Sequence, residues 1–230
     1  MSIIMCPDAR HETDWIPEPL FHLPSGSRLY VCGAGGKTTL IHVLASFYLA
    51  RGRKTAVTTT THMMREEPLC TSVRAAAEAL RTDGYAFAGR LDPVHPEKIC
   101  SLPEEERKEL AGEADLILTE ADGARHMPFK VPYPWEPVVD PWATDIVIVY
   151  GLRAAGMRIR ESCYHPDGVA ELLAGRFPEA AEKGTETRLS EEMLRYAVEK
   201  AYLMPLRARF PDAHLLTAAA HRRENSTCFT

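Results

Sequence analysis

Two short clusters carry residue types able to act on a phosphate. The first is Val31-Cys32-Gly33-Ala34-Gly35-Gly36-Lys37-Thr38-Thr39. Glycines let the backbone curl so that several N–H groups point at one anion. A helix starting there adds partial positive charge at its N-terminus. Lys37 would reach the outer phosphates of a nucleotide, and the Thr38 hydroxyl would help hold Mg²⁺. Gly33, Ala34, Gly35, Gly36, Lys37, Thr38 and Thr39 are therefore the candidate nucleotide-binding residues. The second cluster is Glu120-Ala121-Asp122-Gly123, directly after an apolar run. Carboxylates two apart on an extended segment point the same way, so both can serve one site. A hard cation wants oxygen ligands, and an attacking water or acceptor hydroxyl wants a base. Lys37, Glu120 and Asp122 are the candidate catalytic groups, and Thr38, Glu120 and Asp122 the candidate metal ligands. The alternative is that Asp122-Gly123 is simply a turn and Glu120 a solvated charge.

The glycine spacing is unusual. The common phosphate loop, G-x-x-x-x-G-K-[ST], would put a glycine where this chain has Val31. The shortened form Gly-x-x-Gly-Lys-Thr-Thr resembles that of the ATP-dependent muramyl-peptide ligases. Two more segments could meet a substrate. Thr58-Thr59-Thr60-Thr61-His62 ends a β-branched run, and Thr60, Thr61 and His62 are candidate contacts. Residues 120–141 carry Pro128, Pro132, Pro134, Pro137 and Pro141. That many prolines exclude a regular helix and imply a long, stiffened loop. In it Arg125 and Lys130 are candidate contacts to an anionic partner. The competing reading is a packed surface loop anchored by Trp135. The histidines are dispersed, without metal-ligand spacing.

Positioning these groups requires strands that end together. Residues 28–32 read as a strand, and 38–50 as a helix with Leu40, Ile41, Leu44, Phe47 and Tyr48 on one face. Strands follow over 54–60, 85–88, 115–119 and 145–149, with helices over 72–81 and 104–113. Continuous apolar strands separated by helices predict an α/β fold. Its sheet is mainly parallel and doubly wound, of P-loop NTPase type, with helices on both faces. In such a sheet ligands sit beyond the carboxyl ends of the strands, where both clusters fall. Past residue 151 the pattern weakens. Residues 168–174 and 191–201 read as helices, the latter with Ser190 as N-cap, and 214–217 as a last strand. The expected organisation is an irregular lead-in over 1–27 with one short helix, a nucleotide-binding core over 28–175, and a helical extension over 176–230 packed on the core.

The chain has 230 residues, is 45% hydrophobic and carries a net charge of −5, enough for one large α/β domain. The acidic balance argues against nucleic acid as a partner. No apolar run approaches the roughly 20 residues of a membrane helix. The first ten residues do not read as a secretory signal. The six cysteines form no Cys-x-x-Cys pair and read as reduced thiols in cytoplasm. Cys32, inside the glycine turn, reads as a small packing residue rather than a redox switch.

Taken together, three segments resemble a known family. They are residues 33–39, residues 58–62, and Glu120-Ala-Asp-Gly-Ala-Arg-His-Met-Pro-Phe-Lys130 running on to Glu136-Pro-Val-Val-Asp140. They look like the selenium-dependent hydroxylase accessory proteins, the YqeC-type family of selenium cofactor biosynthesis. The similarity covers roughly residues 28–175. It implies a cytoplasmic P-loop protein that binds ATP or GTP with Mg²⁺ and assists maturation of selenium-dependent molybdenum hydroxylases. Its expected partners are the nucleotide, a selenium or molybdenum-cofactor species, and the hydroxylase itself. Gly33, Gly35, Gly36, Lys37, Thr38 and Thr39 carry over as the nucleotide loop, Glu120 and Asp122 as the acidic motif, and Lys130 as part of the following loop. The chain lacks an Asn-Lys-x-Asp motif, which leaves the base unassigned. Two activities stand open: Mg-dependent NTP hydrolysis or phosphoryl transfer, and nucleotide-gated chaperoning or cofactor delivery with little catalysis. A bare structural domain with a degenerate loop is a third reading.

Overall fold

The computed structural model describes residues 14–221. Its centre is a seven-stranded sheet: β1 (Ser27–Gly33), β2 (Thr55–Thr59), β3 (Leu69–Cys70), β4 (Tyr85–Ala88), β5 (Leu116–Glu120), β6 (Asp145–Gly151) and β7 (His214–Ala220). The spatial order is β7-β6-β1-β5-β2-β4-β3, and every pairing is parallel. The principal helices are α1 (Lys37–Leu49), α2 (Val73–Thr82), α3 (Glu104–Glu113), α4 (Pro166–Ala174) and α5 (Glu191–Val198).

Strand alternation sorts the core into two layers. Leu29 and Val31 of β1, Leu116 and Leu118 of β5, and Val147 and Val149 of β6 pack on one face, against Leu40, Ile41 and Leu44 of α1. Tyr30, Cys32, Ile146 and Ile148 turn to the other face, against Val169 and Leu173 of α4 and Met193, Leu194 and Ala197 of α5. Ala56, Ala86, Ala88 and Ile117 point the same way and are covered by α2 and α3 through Val73, Ala76, Leu80 and Leu110. Helices on both faces bury every residue of β2, β5 and β6, as the doubly wound reading requires. No helix among the described residues is long and apolar enough to cross a membrane.

β1 lies between β6 and β5, with Val31 beside Glu120 in the β1–β5 register and Thr59 beside Glu120 in the β2–β5 register. The carboxyl ends of β1, β5 and β2 therefore lie side by side. The chain winds from β1 to β2 on one side and returns to β6 on the other, so β1 borders the switch in winding direction.

Several elements differ from expectation. The chain turns at Thr60-Thr61, and His62 opens a new strand, His62–Met64. This strand joins Lys98–Cys100 and Arg90–Leu91 in a small antiparallel sheet. Strands of two or three residues are too short to show periodicity, so sequence reading passes over them. The helix expected over 191–201 is α5 followed by a π-turn, Glu199–Leu203, and a further helix, Met204–Arg209. Pro205 is tolerated at the start of that last segment, where the proline's missing N–H costs little. The strand expected over 214–217 extends to Ala220 and pairs with β6 along its whole length. The lead-in holds a single 3₁₀ turn, Glu18–Phe21, within its described part.

Candidate functional site

The glycine turn leaves β1 at Gly33 and enters α1 at Lys37. Gly33 and Gly35 have φ of +94° and +81°, conformations that a side chain strains. Space forbids a side chain as well. A Cβ at Gly33 would fall on the carbonyl oxygen of Val149, and one at Gly35 would lie 2.5 Å from that of Pro128. The turn is thus pinned between β6 and the loop after β5, and the Ala34 N–H donates to Val149 O at 2.8 Å. The N–H groups of Gly35 and Gly36 make no hydrogen bond among the described residues. With the opening N–H groups of α1 they form a cluster of free donors at a helix N-terminus.

Asp122 sits behind this turn, fully buried. Its Oδ1 accepts from Lys37 Nζ at 2.6 Å and from Gly33 N–H at 3.0 Å. Its Oδ2 accepts from Gly33 N–H and the Tyr202 hydroxyl, each at 3.1 Å, with Lys130 Nζ 3.4 Å away. Lys37 Nζ also donates to the Asp122 carbonyl and lies 3.8 Å from Glu120 Oε1. Lys130, wholly buried, donates to Gly123 O and to Glu136 Oε2, both at 2.7 Å. Two lysines and three carboxylates, Glu120, Asp122 and Glu136, thus form one low-dielectric cluster.

Burial raises the Glu120 carboxyl above its ordinary value, against the pull of Lys37 and the Thr38 hydroxyl. Its Oε2 is buried and without a partner among the described residues. Burial would lower Lys37, but Asp122 and Glu120 outweigh it and hold the ammonium charged. Cys32 is buried, and burial pushes its thiol far up, so the packing reading of this residue holds. Cys32, Cys70, Cys100 and Cys163 are all free thiols; Cys6 and Cys228 lie outside the described residues.

The other candidates divide. The Thr60 hydroxyl donates to Val138 O at 2.6 Å, and its N–H to Glu120 O at 3.0 Å, so it ties β2 to the loop. Thr61 and His62 line an open groove of about 250 Å³ with Gly123, Trp135, Glu136 and Val138. His62 is exposed, 3.4 Å from Asp92. Arg125 is exposed and lies over the Tyr164 ring, 5.4 Å from its centroid. Lys130 is not a surface cation; it is held inside by Asp122 and Glu136. Thr38 and Thr39 are exposed beside the turn.

Sequence reading did not single out Tyr202. It lies on the π-turn that continues α5, where a buried tyrosine looks like any core residue of an amphipathic helix. Nothing in its neighbourhood along the chain marks its hydroxyl as a partner for Asp122.

The residues suit a nucleotide phosphate and one Mg²⁺. Free donors, a cation and an unpartnered buried carboxylate oxygen meet at one turn. Mg²⁺ usually takes one or two protein carboxylates and fills its shell with phosphate and water. Thr38 and Glu120 have oxygens to offer such an ion, while those of Asp122 are engaged by Lys37, the Gly33 N–H and the Tyr202 hydroxyl.

Comparison with known proteins adds the family. The family described as "YqeC protein" matches residues 29–167. An uncharacterized protein YqeC of Escherichia coli strain K12 is 31% identical over 163 residues, covering 65% of this chain and 61% of the relative. No solved structure matches the chain. With more than half its length matched by that family, the chain belongs to the YqeC family.

Proposed function

We propose that this protein binds ATP or GTP with Mg²⁺ at the glycine turn and hydrolyses it or transfers its terminal phosphoryl group. The observation that carries the reading is the meeting of Lys37, Glu120 and Asp122 at the glycine turn, where adjacent parallel strands end. Positioning and electrostatics dominate phosphoryl transfer, and these are the groups that supply them. Thr38 would hold the metal together with phosphate and water oxygens, and the metal would neutralise charge on the phosphates. Lys37 leaves Asp122 for the outer phosphates. Glu120, with its raised carboxyl, orients the attacking water or acceptor and takes its proton. Family resemblance extends the reading to a cytoplasmic accessory role in maturing selenium-dependent molybdenum hydroxylases.

One observation favours a gated version, in which nucleotide binding drives a conformational step and hydrolysis resets it. Asp122 joins Lys37 to Tyr202 of the C-terminal helical run, so release of Lys37 would be felt there.

Phosphate release from ATP and GTP, followed across pH, tests both versions. Lys37→Ala should lose at least about 100-fold in turnover, the scale of a lost charge-stabilising group. A Glu120 base must be ionised, so activity should fall as pH drops through a value above the usual carboxylate range. Glu120→Gln should abolish that acid limb. Turnover retained in Lys37→Ala would overturn the catalytic reading, whereas slow turnover raised by a protein partner would favour the gated one.

A further inference from the structure

The groove beside the glycine turn has features that the nucleotide reading does not use. It opens one residue after Asp122, at Gly123, and two after β2, at Thr61. A Cβ at Gly123 would meet nothing within 4 Å, so the backbone there faces open space. Thr61 lines the groove, and its hydroxyl is buried without a partner among the described residues. Glu136 lines it too. Its Oε2 is occupied by Lys130 Nζ and the Tyr133 N–H, and no hydrogen bond among the described residues engages Oε1.

The third feature is an aromatic platform. Trp135 stays 69% exposed, which is unusual for the largest apolar side chain. Tyr133 covers one face of its indole at 4.8 Å, with the rings 1° from parallel. His165 stacks on Tyr133 at 4.0 Å in turn. Gly168 makes room for that imidazole, since a Cβ there would fall on the ring. A tryptophan backed by two stacked rings is held rigid, so little freedom is lost when a ligand covers its other face.

We infer that this groove binds the planar, nitrogen-bearing heteroaromatic ring of a second ligand, which stacks on Trp135 and hydrogen-bonds to Glu136 and Thr61. The inference rests on the nucleotide reading only for the word "second". A ring N–H or amino group meets the Glu136 carboxylate, and the Thr61 hydroxyl gains the partner it lacks. An anionic group is disfavoured beside Glu136 and belongs at the glycine turn. At about 250 Å³ the groove falls just below the roughly 300–1,000 Å³ typical of drug-sized ligands, room for one ring system.

The test is a tryptophan-fluorescence titration of the full chain with adenosine, guanosine and, as a ring without nitrogen, naphthalene-2-methanol. At least one nucleoside should bind with Kd near or below about 1 mM, and more tightly than the naphthalene. Trp135→Leu should weaken it by about 10-fold or more, the scale of a lost base–aromatic stack. Thr61→Val should weaken it by about 3- to 10-fold, the scale of one hydrogen bond. Thermal melts of both variants should match the parent, and calorimetry should give the same Kd for the parent where fluorescence is lost. Binding should persist in Lys37→Ala and with a non-hydrolysable Mg–nucleotide analogue present.

Four results would overturn the inference: no nucleoside bound, an equal grip on naphthalene, indifference to both substitutions, or displacement by the analogue. Displacement would identify the groove as the nucleotide's own base site. A nucleoside held in the groove by a protein that ignores the analogue would sink the nucleotide reading and leave the groove standing.

Discussion

Asp122→Ala tests whether one carboxylate organises the buried cluster. Asp122 is fully buried and accepts from Gly33 N–H, Lys37 Nζ and the Tyr202 hydroxyl, with Lys130 Nζ 3.4 Å away. Its removal strips the Gly33 N–H and the Tyr202 hydroxyl of their partner, and each unsatisfied buried donor costs about 1–3 kcal/mol. It also leaves Lys37 with the main-chain carbonyl of residue 122 and, 3.8 Å away, Glu120 as its remaining carboxylate. Breaking a buried ion pair from one side typically costs about 3–5 kcal/mol, and we expect a loss in that range. For a chain of this size the melting temperature should fall by about 6–20 °C.

Lys37→Ala removes one partner of Asp122 but leaves it Lys130, Gly33 N–H and Tyr202. Glu120, whose carboxyl burial already raises, moves further toward its neutral form when its cation goes, which limits the cost of leaving it there. That variant should lose no more than about 1–2 kcal/mol. Urea denaturation of parent and both variants at pH 7 measures the difference. A loss under about 1 kcal/mol for Asp122→Ala, or an equal or larger loss for Lys37→Ala, would refute the reasoning.

Two further outcomes follow from the same geometry. Tyr202→Phe deletes a hydroxyl donated to a carboxylate at 3.1 Å and should cost about 1.5–3 kcal/mol in urea with the fold retained; a loss below about 0.5 kcal/mol would show that the hydroxyl contributes little. Asp115 accepts from Lys54 N–H at 2.9 Å and the Ser25 hydroxyl at 3.0 Å, and these bonds hold its carboxyl below the usual value despite some burial. The stability it adds is therefore complete above its unfolded pKa, near 3.9, and fades as pH falls through the lower folded value. The urea-midpoint gap between the parent and Asp115→Asn should be widest near neutrality and shrink below about pH 4; a gap that widens in acid would contradict this sign.

What the sequence made legible was local. Glycines, a lysine and two threonines between an apolar run and a periodic helix announce a strand, a turn and a helix within a dozen residues. Glu120 and Asp122 were legible as a pair, because strand alternation puts both on one side. Their approach to Lys37 depended on β5 lying next to β1, which a parallel α/β pattern allows but does not dictate. The adjacency is set by which strands pair over long sequence separations. Tyr202 was illegible for the same reason, since its partner lies 80 positions earlier. Thr60 and Lys130 were visible as polar residues in the right segments. Their tasks, a bond to the Val138 carbonyl and a buried pair with Glu136, depend on how the proline-rich loop folds back over β5. Stacking of Trp135 on Tyr133 likewise needs that loop's path, which prolines stiffen but do not specify.

The most direct test of the central claim is calorimetric titration with non-hydrolysable ATP and GTP analogues, with and without Mg²⁺, of the parent chain and Lys37→Ala. The account predicts that one analogue binds the parent, that binding tightens with Mg²⁺, and that Lys37→Ala weakens it at least about 10-fold, the scale of one charge-assisted hydrogen bond. Absence of binding by either analogue, or equal affinity in Lys37→Ala, would contradict it.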